Sequence, residues 1–132
     1  MNSFQAIDAY KNVNTQSGVT DASPHQLIAM LFSGALDRIA SAKGAMARGD
    51  TGVQGTQIGK AISIIDGLRA SLDTTRGGSV AANLKDLYDY MERRLLEGGA
   101  RADSDALDEV TRLLREIKSG WDDIPAAERG AG

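Results

Sequence analysis

The stretch from Ser23 to Met46, SPHQLIAMLFSGALDRIASAKGAM, decides the fold. Ser23 can accept the first free backbone N–H groups of a helix. Pro24 suits a first helical turn, and Gln26, three residues after Ser23, completes a capping box. Leu27, Leu31, Ala35, Ile39, Ala42 and Met46 then recur at three- and four-residue spacing, and Ile28 and Phe32 widen the stripe. That period puts the apolar residues on one face of an α-helix. Gly49-Asp50 closes the pattern, so the spacing predicts a helix over 24–47.

The same grammar repeats downstream. Ile58, Ile62, Ile65, Leu68 and Leu72 predict a second helix over 51–75. Gly55, Gly59 and Gly67 are unusual inside it, since each costs about 1 kcal/mol relative to alanine in a helix interior. They either loosen the first turns or admit another chain at close range. Arg76-Gly77-Gly78 breaks the chain, and Ser79 can cap the next helix. Val80, Leu84, Leu87, Tyr88, Met91 and Leu95 mark this third helix over 80–97, with Gly98-Gly99 as its stop. Asp103 or Ser104 caps a fourth over 104–121, whose seam is Leu107, Val110, Leu114, Ile117 and Trp121. Four one-faced helices joined by short breaks predict an all-α, antiparallel four-helix bundle over 23–122. Leu31, Ile65, Leu84, Leu114 and Ile117 are expected to be largely buried in it.

The flanks differ. Phe4, Ile7 and Tyr10 share one face of a short amphipathic segment, too short to be a stable helix alone. The polar linker Asn14–Ala22 joins it to the bundle, so 1–22 is an N-terminal segment and linker. Residues 123–132 are expected to be a flexible tail.

Composition narrows the function classes. The chain has 132 residues, enough for one domain with its own core. Hydrophobic residues at 42% and charged residues at 25% match a globular domain rather than a disordered one. There is no cysteine, so disulfide and thiol chemistry are excluded, which fits the cytosol. A net charge of −3 offers no basic field for nucleic acid. No apolar run approaches the roughly 18 residues of a membrane span, and MNSFQAIDAYKN lacks the pattern of a secretory signal.

The chain carries little that could do chemistry. The sole histidine, His25, lies in the first turn of a helix, where a polar residue needs no catalytic explanation. A rival reading makes the chain a histidine phosphotransfer bundle using His25, but that class carries its histidine exposed in mid-helix. The di-iron bundle pattern requires Glu-x-x-His pairs, which are missing here, and a lone histidine has no partner ligand. Asp103, Asp105, Asp108 and Glu109 sit at a helix start, where they favour the helix dipole, and their spacing does not fit an EF-hand. Gly77-Gly78 lacks the lysine of a P-loop. Without a paired nucleophile and base, no enzyme activity is expected, and neither is a cofactor or metal. A third reading is an oligomerising bundle without a client. Leu87-Tyr88-Asp89-Tyr90-Met91 points instead to peptide contact. Tyr88 and Tyr90 are two residues apart and cannot both face the core, so one should lie at the surface.

Several elements in this order resemble the flagellar secretion chaperone family, FliS. They are Ala9-Tyr10-Lys11 followed by Val13, the run from Ala22 to Leu36, and Leu72-Asp73 with Gly77-Gly78 and Leu84. Leu87-Tyr88-Asp89-Tyr90 and the closing Trp121 complete them. Phe32-Ser33 departs from the tyrosine and acidic residue common in that family, and the second helix is glycine-rich at its start. The resemblance implies an antiparallel four-helix bundle in the cytosol that binds the C-terminal region of flagellin, prevents premature polymerisation and aids its delivery to the type III export apparatus. It implies a client that wraps the bundle and gains helix, and an N-terminal tyrosine segment that occupies a hydrophobic site in the free protein. An anti-sigma factor and export-gate proteins are further implied partners. The candidate client-contact residues are Ile7, Tyr10, Leu31, Leu84, Leu87, Tyr88, Tyr90 and Met91.

Overall fold

A computed structural model describes residues 22–125. The expectations for the segment of Phe4, Ile7 and Tyr10, for the linker up to Asp21 and for the tail after Pro125 lie outside these residues. Four helices succeed one another: α1 (Pro24–Arg48), α2 (Thr51–Ala70), α3 (Thr74–Arg101) and α4 (Ser104–Asp122). No strand occurs among the described residues. The helices form the expected all-α bundle, in which α1 packs on α2 and α4, and α3 packs on α2 and α4.

The caps explain the boundaries. Ser23 and Gln26 form the capping box: Ser23 Oγ accepts from Gln26 N at 3.2 Å, and Gln26 Oε1 accepts from Ser23 N at 2.8 Å. Gly49 ends α1 with a left-handed φ of 73°, and its N–H reaches the carbonyls of Ala45 and Met46. Asp50 then caps α2 through Val53 N at 3.1 Å, so one turn ends one helix and starts the next.

Three expected boundaries need correction. The second helix stops at Ala70, not near 75. Ser71 Oγ donates to the Leu68 carbonyl at 2.6 Å, and Leu72 N donates to the Arg69 carbonyl at 3.2 Å, a tightened end that the apolar stripe does not reveal. The third helix begins with a turn at Thr74 and kinks at Gly78, whose φ of 55° and ψ of −132° suit only glycine. The chain break expected at Gly77-Gly78 is therefore a kink within α3.

Gly98-Gly99 does not stop this helix, which runs on to Arg101. The two glycines are contact points. A Cβ on Gly98 would stand 2.9 Å from both Ala106 Cβ and Leu107 Cδ1 on α4, and one on Gly99 would stand 2.8 Å from Ile58 Cδ1 on α2. They let α3 approach both neighbours at once. The carbonyls freed at the helix end are satisfied: Gly98 O accepts from Asp103 N, and Gly99 O from the buried Gln54 side chain at 2.9 Å.

The core collects the apolar stripes of all four helices. Leu31, Phe32, Ala35 and Ile39 of α1 meet Ile58, Ile65 and Leu68 of α2, with Met91 and Leu95 of α3 and Leu107, Val110 and Leu114 of α4. Leu31, Ile65 and Leu114 are buried as expected, whereas Leu84 and Ile117 are only half-buried against the core. Both belong to the same end of the bundle.

Candidate functional site

The antiparallel order brings the start of α1, the end of α2, the start of α3 and the end of α4 together. At this end Ile28, Leu72, Leu84, Leu87, Ile117 and Trp121 are all half-buried apolar side chains resting on the core. Val80, one turn before Leu84, is 65% exposed. At the opposite end the inward-facing residues are closed off: Ala42, Ala45, Ile58, Leu95, Ala106 and Leu107 are each 5% exposed or less, while Val53 and Leu96 there lie exposed outside this set. The same face of α3 makes the contrast within one helix. Met91 and Leu95 are sealed, while Val80, Leu84 and Leu87 upstream keep apolar area in water. Area left uncovered on one aligned face is what an amphipathic partner can bury.

The other candidate contact residues are placed differently. Leu31, Tyr88 and Met91 are core residues, at 2%, 3% and 0% exposure. Burial pushes the Tyr88 hydroxyl up to about 12, so it stays protonated. Tyr90 points away from Tyr88, as their spacing requires, and lies half-buried on the seam with α4. Its hydroxyl donates to Glu109 Oε2 at 2.7 Å, and Arg94 Nε donates to Glu109 Oε1 at 2.7 Å. These two donors hold the Glu109 carboxyl below its usual range, the tyrosine foremost. Tyr90 therefore ties α3 to α4, and its ring is only partly available. Ile7 and Tyr10 lie outside the described residues.

One feature of this end escapes the periodicity. His25 is buried and stacks on Trp121, with ring centroids 4.7 Å apart and planes within 7°. Trp121 Nε1 donates to the His25 carbonyl at 2.9 Å, and His25 Nε2 donates to the Trp121 carbonyl at 2.8 Å. A carbonyl only accepts, so Nε2 carries a proton. This reciprocal clasp fastens the start of α1 to the end of α4. The signal lies in the positions of the two residues: antiparallel α1 and α4 bring the first turn of one beside the last turn of the other.

No group of three or more metal-binding side chains gathers among the described residues. Nor is any described helix long and apolar enough to cross a membrane.

Against known proteins, residues 6–128 match the family model of the flagellar protein FliS. The flagellar secretion chaperone FliSB of Pseudomonas aeruginosa is 49% identical over 124 residues, covering 94% of this chain and 98% of its own length. The flagellar secretion chaperone FliS of Salmonella typhimurium is 46% identical over 94% of this chain and 93% of its own. That of Vibrio cholerae is 42% identical over 91% and 88%.

Proposed function

The chain belongs to the FliS family of flagellar proteins, and on that premise we propose that it is a cytosolic export chaperone for flagellin, without catalytic activity. Its client is the C-terminal segment of flagellin, which it keeps from premature polymerisation and helps deliver to the flagellar type III export apparatus. The observation that supports a docking site is the open apolar end of the bundle. Val80, Leu84 and Leu87 form the accessible ridge, with Leu72 and Ile117 beside it. A segment that is disordered when free loses conformational entropy on docking, and burying apolar area against this ridge offsets that cost. Leu31, Tyr88 and Met91 support the ridge from beneath. Tyr90 contributes at its α4 edge.

Ile7 and Tyr10 belong to the same site in this reading. Their segment covers the open end in the free protein and leaves when the client arrives. Deleting residues 1–12 then tightens flagellin binding, because a competing contact is gone. Unchanged or weaker binding removes the competitive cover. An anti-sigma factor and export-gate proteins are further partners in this reading. The phosphotransfer alternative finds no support at His25, whose ring is stacked on Trp121 and bonded through Nε2.

Calorimetric titration with a peptide of the flagellin C-terminus tests the function. A one-to-one complex with a negative heat-capacity change is expected, along with a gain of helical circular dichroism. Absence of binding at tens of micromolar overturns the client assignment.

A further inference from the structure

Midway along the bundle, a group of charged side chains flanks the apolar contact between α2 and α3. From α2 come Asp66 and Arg69, and from α3 come Lys85, Asp89 and Glu92. Arg69 is already committed: Nη2 donates to Asp66 Oδ1 and Nη1 to Asp89 Oδ1, both at 2.5 Å. Lys85 sits beyond them, 3.5 Å from Asp89 Oδ2. Glu92 completes the group. Its Oε2 lies 3.6 Å from Arg69 Nη1, too far for a hydrogen bond, and is fully buried with no donor. The α4 carboxylate nearest in register, Glu109, is engaged elsewhere with Tyr90 and Arg94.

A buried carboxylate oxygen without a donor is costly, and three carboxylates around one guanidinium leave a surplus negative charge. Both problems are relieved if Glu92 is protonated, and Asp66, gathered at the same guanidinium, is the carboxylate placed to accept from it. We infer that Glu92 holds a proton in the folded bundle, making the α2–α3 seam a protonation-controlled latch. Burial foremost, and then Asp66, pushes the Glu92 carboxyl up to about 8. Arg69 opposes that rise and does not cancel it.

In the unfolded chain Glu92 releases its proton near the ordinary 4.5, and in the bundle it releases it near 8. Between those values the folded state holds the extra proton. Stability therefore falls as pH rises through this window, and the loss is complete above it. Leu72 lies three residues after Arg69, just beyond the end of α2, and Leu87 precedes Asp89 by two on α3. The latch thus closes the seam next to the open apolar end, and raising the pH past neutrality loosens it.

The full chain tests this in two ways. Replacing Glu92 with glutamine (E92Q) keeps the shape and a donor for Asp66 but cannot ionise. The wild-type Tm should fall relative to E92Q from about pH 5 to about pH 8 and run parallel above that. A constant difference across pH 5–9 overturns the latch. Should E92Q not fold, the carbon-13 shift of the Glu92 carboxyl in the wild type decides alone. A midpoint above pH 6 is expected, and one at or below pH 6 overturns the inference. In Asp66→Asn that midpoint should fall, whereas an unchanged midpoint overturns the part given to Asp66 in holding the proton on Glu92.

Discussion

Ala102 ends α3 with a φ of 51°, the left-handed conformation at a residue that carries a Cβ. That placement costs an L-residue roughly 1 kcal/mol, which glycine would not incur. Ala102→Gly is expected to stabilise the protein by about 0.5–1 kcal/mol in urea unfolding. A decrease would show that the unfolded chain's added freedom outweighs the relieved strain. Gly98, four residues earlier, is the opposite case. Ala106 Cβ and Leu107 Cδ1 already occupy the space its side chain would need. Gly98→Ala should therefore destabilise by about 1–3 kcal/mol, read as a lowered urea midpoint at unchanged slope. In the sequence Gly98-Gly99 reads as a stop signal, because glycine at a helix end and glycine at a helix crossing look alike in one dimension. His25 and Trp121 are legible there only as a helix-start polar residue and the end of a seam. The rings meet across 96 residues of chain, and no local pattern encodes that contact.

At the level of elements, the four apolar stripes and the capping box at Ser23 set the order and type of the helices. The end of α2 and the start of α3 depart from expectation where a single hydroxyl, Ser71, and a single backbone angle, at Gly78, decide the matter. The glycines of α2 divide into two kinds. Gly67 is buried, whereas a Cβ on Gly55 or Gly59 would meet nothing within 4 Å. Replacing Gly55 and Gly59 with alanine should stabilise α2 by up to about 1 kcal/mol each, visible as a higher Tm. If the double variant gains stability yet loses flagellin affinity, the bare backbone there serves a docked chain. If affinity is unchanged, the two positions matter only to the helix.

For the whole molecule, a core-facing stripe sealed at one end and open at the other separates stability from binding. Val80 lies largely in water, so Val80→Asp should change stability by no more than about 0.5 kcal/mol while weakening the flagellin complex. Leu31, at 2% exposure, should behave in reverse: Leu31→Ala opens a cavity and costs about 2–5 kcal/mol in denaturant unfolding. If Val80→Asp binds flagellin as well as the wild type, the open end is not the docking site. The bundle is legible in the sequence because burial has a period. The open end is not, because Leu84 and Leu95 occupy equivalent places in the same stripe and differ only in what the other helices cover. The clasp at that end also gives the molecule an optical handle. Trp121 is the chain's single tryptophan, and its indole lies face to face with an imidazole at the rim of the proposed docking site. Its emission is set by that stacking and by the water reaching the ring. A client that settles on the rim, or a motion that parts α1 from α4, should change the colour and intensity of the emitted light. Both events can then be tracked in unlabelled protein and timed by rapid mixing.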